Sequence, residues 1–163
     1  MIRSVSLNDA AAIAAIYGPI VKGSVISLED DPPSAVEIAR RIEALLPTMP
    51  YLVAEREGDV IGYAYASRHR DRSGYRFAVD VTVYVDETVR RTGTGRLLYK
   101  HLLAELRKKK LHRAYAGIAL PNVGSVGLHE AMGFHHIGTY HEVGFKFGKW
   151  HDVGWWERDL TRE

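Results

Sequence analysis

Hydrophobic and polar positions along the chain repeat with two periods. Val79, Val81, Val83 and Val85 alternate with Asp80, Thr82 and Tyr84, the period of a strand with two unlike faces. In the run Arg96 to Lys110, Leu98, Leu102 and Leu106 recur every four residues beside Tyr99 and Leu103, while Lys100, Arg107 and Lys108 fall elsewhere. That is the stripe of an amphipathic helix. Upstream, residues 1–7 read as a first strand, and Asn8 or Asp9 caps an alanine-rich helix ending near Gly18-Pro19. Ser24 to Glu29 reads as a loop or a short strand lining a substrate cavity. Ser34 caps a helix to about Leu46, with Glu37 completing a capping box and Pro47 ending it. Tyr51–Glu55 and Val60–Ser67 form a hairpin about Glu57-Gly58-Asp59, followed by a charged loop from Arg68 to Gly74. Downstream come a strand over Arg113–Leu120 and a short helix from Pro121-Asn122 to about Met132, stopped by Gly133. Two closing strands, Phe134–Phe147 and Trp150–Leu160, turn around Gly148. The order predicts one domain over residues 1–163, α+β (mixed α/β), with a central mixed sheet flanked by helices.

The junction between the valine strand and the leucine helix carries the chemistry. Gly93 and Gly95 let a ligand approach the main chain, and the unpaired N–H groups of the first helical turn point outward there with the helix dipole behind them. Such a place suits phosphate or pyrophosphate, and Arg90, Arg91 and Arg96 add charge. A plain turn before a basic helix start is the alternative. A dinucleotide fingerprint needs a third glycine where Leu98 stands, and no Gly-Lys-Ser/Thr is present for a nucleotide P-loop.

Composition narrows the rest. With 46% hydrophobic and 26% charged residues the chain is an ordinary globular protein, and a net charge of +2 does not argue for nucleic acid. The basic run Arg107 to Lys110 complements the dipole at a helix end. There is no cysteine, so thiol nucleophiles, disulfides and thiolate metal sites are excluded. The histidines show no metal-ligand spacing, so no metal is expected. No apolar run reaches membrane-spanning length and no secretory leader pattern opens the chain. The default expectation is a cytoplasmic protein with no membrane partner.

Arg-x-x-Gly-x-Gly at 90–95, after a valine-rich strand, resembles the acetyl-CoA pyrophosphate loop of the GNAT N-acetyltransferases. The likeness covers essentially the whole chain. Leu128-His129-Glu130-Ala131-Met132-Gly133-Phe134, Thr82-Val83-Tyr84-Val85 and the tail Gly144 to Gly154 are similar to the phosphinothricin/methionine sulfoximine acetyltransferase branch. That branch usually has Glu at the position of Asp80 and often Trp at the position of His69.

The resemblance implies the GNAT acyl-CoA N-acyltransferase fold, acetyl-CoA as co-substrate and a homodimer. Cofactor contacts fall to Val83, Tyr84, Val85, Arg90, Arg91, Thr92, Gly93, Thr94, Gly95 and Arg96. Asn122 and Ser125 join them, sharing one helix face with His129 at i, i+3 and i+7; Asn122 also reads as a helix cap. The loop Arg72, Ser73, Gly74, Tyr75 and Arg76 is placed against the substrate, with a solvated basic loop as the alternative. Lys146, Lys149 and Trp150 either line the same cavity or form a dimer edge.

Acetyl transfer to an amine needs a neutral nitrogen, so a base is useful, and Asp80 or His129 can supply it directly or through water. His129 or a tyrosine such as Tyr140 can serve the departing thiolate. No nucleophile suited to a covalent intermediate stands out, so a small amino-acid-like amine is expected to attack the thioester directly. Acetylation of a protein N-terminus or a polyamine, and a non-catalytic CoA-binding module, are the alternative readings.

Overall fold

The computed structural model describes residues 1–162. Seven strands form one sheet in the order β1-β2-β3-β4-β5-β7-β6: β1 (Ile2–Ser4), β2 (Tyr51–Arg56), β3 (Asp59–Arg68), β4 (Ala78–Val85), β5 (Arg113–Ala119), β6 (His135–Lys146) and β7 (Lys149–Asp159). The pairing is antiparallel except between β4 and β5, which run parallel. The helices are α1 (Ala10–Gly23), α2 (Ala35–Leu45), α3 (Thr94–Lys108) and α4 (Val123–Ala131).

Period-2 alternation sorts β4 onto two cores. Val79 and Val81 meet Leu98, Tyr99, Leu102, Leu103 and Leu106 of α3 on one face. On the other, Tyr84 packs with Tyr63 and Tyr17 under α1 and α2. Burying each α3 leucine stabilises by about 2 kcal/mol, so α3 is anchored along its length and the loop before it is held by a rigid element. Among the described residues, no helix is long and apolar enough to cross a membrane.

Three expectations change. The first strand stops at Ser4, because Leu7–Asp9 forms a 3-10 turn in which the Asp9 carboxylate accepts the Ser6 N–H at 2.8 Å and pairs with Arg3 at 2.8 and 3.0 Å. Helix α1 runs through Pro19 to Gly23; burial of Ile20 and Val21 (4% and 0% exposed) outweighs the bond the proline cannot donate. Ser24–Glu29 takes the loop form of its two readings, with bends at Val25–Ser27. Ser34 does cap α2 by accepting the Glu37 N–H, but the Glu37 carboxylate turns to Arg40 and Arg41 instead of closing a capping box.

Lys146 also departs from expectation. It is 3% exposed, and its Nζ donates to the carbonyls of Val21, Ser24 and Ser27 at 2.6, 2.9 and 2.8 Å. It therefore holds the end of α1 and the following loop to β6, neither lining the cavity nor forming an edge. Lys149 and Trp150 stay exposed at the hairpin tip.

Candidate active site

Strands β4 and β5 pair only over Ala78–Asp80 with Arg113–Tyr115. Beyond Asp80 they splay. The opening is a slot of about 540 Å³, walled by Val81–Val85 on one side and Ala116–Ala119 on the other. Main-chain groups of β4 on this edge have no strand partner beyond Asp80, so they can pair with an extended, amide-bearing ligand as another strand would.

The wide end lies at two helix N-termini. Arg91 and Gly93 take left-handed backbone (φ 63° and 85°), which turns successive N–H groups into a common concavity at the start of α3. A β-carbon on Gly95 would come within 3.2 Å of the Leu128 side chain, so the loop also fits closely against α4. Asn122 caps α4, its Oδ1 accepting the Ser125 N–H at 3.1 Å. Arg91 and Arg96 are exposed and free of ion pairs among the described residues, whereas Arg90 reaches Glu87 at 3.2 Å.

Of the residues expected at a cofactor, Val83, Tyr84, Val85, Arg90, Arg91, Gly93, Thr94, Gly95, Arg96, Asn122 and Ser125 all border the slot. Thr92 does not. Its hydroxyl donates to the Val89 carbonyl at 2.7 Å and so closes the loop from behind. Ile20 and Ile26 reach the slot from the α1 face, and Tyr99, Leu128 and His129 from the α3 and α4 face. The slot therefore passes through the sheet.

His129 is 4% exposed. Its Nδ1 lies 2.7 Å from the Ser125 carbonyl, which fixes the hydrogen there, and Nε2 accepts the Tyr99 hydroxyl at 2.7 Å. Burial pushes its pKa down and that of Tyr99 up. Both groups stay neutral at pH 7, and His129 keeps neither a free lone pair nor a free N–H. Tyr99, read from sequence only as part of the leucine stripe, is its partner.

Asp80 closes the narrow end of the slot without lining it. By alternation it shares the α1 face with Tyr84. Its Oδ1 meets the His69 Nδ1 at 2.6 Å; burial pushes its pKa up, partly offset by that contact. The His69 ring stacks on Tyr115 (centroids 4.6 Å apart) with the Trp155 ring edge-on at 6.1 Å. Trp155 in turn lies over Gly117, where a β-carbon would meet its ring at 3.0 Å. His69 was visible in the sequence only as a departure at a tryptophan position.

The Arg72–Arg76 segment is brought to this end less completely. It is exposed, and Ser73–Tyr75 makes a 3-10 turn. Tyr75 comes within 6.4 Å of the His69 ring, while Arg76 folds back to the Ser73 carbonyl at 2.9 Å and over the Phe77 ring. Tyr140 is exposed on β6, against Trp155, and does not line the slot. Among the described residues, no group of three His, Cys, Asp or Glu stands together as a metal site would.

The slot has room for an extended ligand along β4, main-chain N–H groups suited to an anion at its mouth, and a carboxylate, Asp80, at its narrow end. Residues 2–155 match the acetyltransferase (GNAT) domain family. The chain is 40% identical to the phosphinothricin N-acetyltransferase of Streptomyces viridochromogenes, over 98% of this chain and 87% of that protein. It is 34% identical to the L-methionine sulfoximine/L-methionine sulfone acetyltransferase of Pseudomonas aeruginosa, over 98% and 94%. The crystal structure of a phosphinothricin acetyltransferase from Sinorhizobium meliloti in complex with acetyl-CoA superposes with a TM-score of 0.94 at 35% identity, covering 98% of this chain and 88% of that one.

Proposed function

The chain belongs to the GNAT acetyltransferases and uses acetyl-CoA to acetylate an amine, and we propose that the acceptor is the amino group of a small amino-acid analogue of the phosphinothricin or methionine sulfoximine type. The observation that carries this reading is near-full-length similarity to enzymes named for those two substrates. Acetyl-CoA supplies an activated thioester carbonyl. The Arg90–Arg96 loop grips its diphosphate, the open edge at Val83–Val85 pairs with its amide arm, and Asn122 and Ser125 flank it from α4. The Asp80 end receives the acceptor and takes up the amine proton; Tyr75 and the arginines around it meet the acceptor's carboxylate. The neutral His129–Tyr99 pair borders the departing sulfur. Holding the two reactants in one slot is worth several kcal/mol of barrier, and no covalent enzyme intermediate is needed.

We further propose one catalytic domain, working in the cytoplasm where its acetyl donor is made, and pairing as a homodimer through the β6–β7 hairpin. Support for the pairing is an exposed apolar stretch there, formed by Val143, Phe145, Phe147 and Trp150. A thiol-release assay with acetyl-CoA against amino acids, their phosphinic and sulfoximine analogues, polyamines and peptide N-termini tests the acceptor. Fastest turnover of an analogue supports the reading; turnover of peptides or polyamines alone overturns it.

A further inference from the structure

The carboxylate at the narrow end of the slot is already engaged. Asp80 Oδ1 lies 2.6 Å from His69 Nδ1. A carboxylate so close fixes the imidazole hydrogen on Nδ1 and leaves the lone pair on Nε2. Nε2 has no hydrogen-bond partner among the described residues, and the His69 side chain retains 16% exposure. Tyr115 beneath the ring and Trp155 at its edge fix its plane, so the lone pair has one direction. Tyr115 pairs with Asp80 in the last rung before the strands part. The imidazole therefore stands where the slot begins, on the face opposite the sealed His129–Tyr99 pair.

From this geometry we infer that His69 is the general base of the acetyl transfer, its Nε2 taking the proton from the acceptor's ammonium, and that Asp80 is its positioning residue. The inference rests on the reading of the chain as an amine acetyltransferase. One ammonium proton passes to Nε2, and the electron pair it leaves on nitrogen forms the C–N bond. The C–S pair departs with sulfur, and nitrogen's second proton goes to that thiolate. A neutral amide and a thiol result, and Nε2 returns its proton to water. Aspartate suits the arrangement better than glutamate, because the side chain one methylene shorter leaves room for the ring between carboxylate and acceptor.

The charged and titratable groups around the ring are few. Asp80 faces it from β4, Tyr115 from β5 with Glu157 of β7 opposite in register, and Tyr75 from the 3-10 turn. Arg70, the next residue, donates to the His69 carbonyl at 2.7 Å. Asp80 holds the ring by direct contact, its Oδ1 2.6 Å from Nδ1.

The test is steady-state kinetics across pH with methionine sulfoximine, for wild type, His69→Gln, Asp80→Asn and Asp80→Glu, beside calorimetry with acetyl-CoA. His69→Gln is expected to lower kcat roughly 10²-fold or more, to abolish the acidic limb of the pH profile, and to leave acetyl-CoA affinity within twofold. Rising pH should recover its rate as the free amine forms unaided. Asp80→Asn should lower kcat, with Asp80→Glu recovering part of the rate. A His69→Gln enzyme with kcat within twofold of wild type and an intact acidic limb overturns the inference, as a purely structural ion pair would behave. A second readout needs no acceptor: ¹⁵N shifts of the His69 ring in wild-type protein. A hydrogen on Nδ1 supports the inference and one on Nε2 overturns it. It decides even if methionine sulfoximine proves not to be turned over, which would count against the acceptor assignment instead.

Discussion

His129 and His69 stand on opposite faces of one sheet, one sealed against Tyr99 and Phe134, the other half-open beside Asp80. Each ring hydrogen is placed by an oxygen at Nδ1, a main-chain carbonyl for His129 and a carboxylate for His69. The difference lies at Nε2. Tyr99 occupies it in the first ring, and no protein group occupies it in the second among the described residues. A carbonyl adds no charge to stabilise an imidazolium, whereas a carboxylate does. An imidazole's role is thus set by what holds its far nitrogen and by whether the positive ring has a counter-charge, more than by its distance from a cavity wall.

The two rings should differ most in kcat. His69→Gln should cost roughly 10²-fold or more, about 3 kcal/mol of barrier; His129→Gln should cost clearly less in kcat and be felt in stability instead, read by thermal unfolding of the same samples. Next in size is Tyr99→Phe, which leaves His129 Nε2 buried without a donor. It is expected to lose about 1–3 kcal/mol of unfolding free energy, a fall in Tm of several degrees for a chain of this length. Combined with His129→Leu it should cost less than the two separate losses summed, because the pair fails as a unit.

A smaller effect separates the two rings by pH. The folded-state pKa of His129 lies below its unfolded value, so the unfolded chain binds the proton first as pH falls. Stability contributed by the neutral ring is complete above about pH 6.5, the ordinary histidine value, and is lost on acidification through and below it. Tm measured from pH 8 to 5 should fall in wild type and fall less in His129→Leu. Smallest of all, Arg91→Ala should weaken acetyl-CoA binding only a few-fold, and less at high salt, because an exposed guanidinium acts through screened solvent. A loss of 10²-fold or more would mean the main-chain cradle contributes less than its geometry implies.

Much of this was legible in the sequence, for reasons that are local. Alternating valines and four-residue leucine spacing report which face a residue occupies, and a glycine loop between a strand and a helix reports exposed N–H groups. Asn122 was read as a cap from its place before the helix. What escaped depends on register and burial. His69 meets Asp80 only because Arg68 pairs with Val79 across the β3–β4 ladder, and Tyr99 meets His129 across 30 residues. Pro19 looked like a stop because a proline's local cost is visible in sequence and the burial of Ile20 and Val21 is not.

Lys146 ties one wall of the slot to a distant part of the chain. The concavity at the start of α3 is built from the loop and helix that bear it, yet the loop bearing Ile26 is pinned by an ammonium that arrives on β6 from 119 to 125 residues downstream. Two parts of the slot's rim are thus specified by distant stretches of one polypeptide, joined by one screw driven in from its far end.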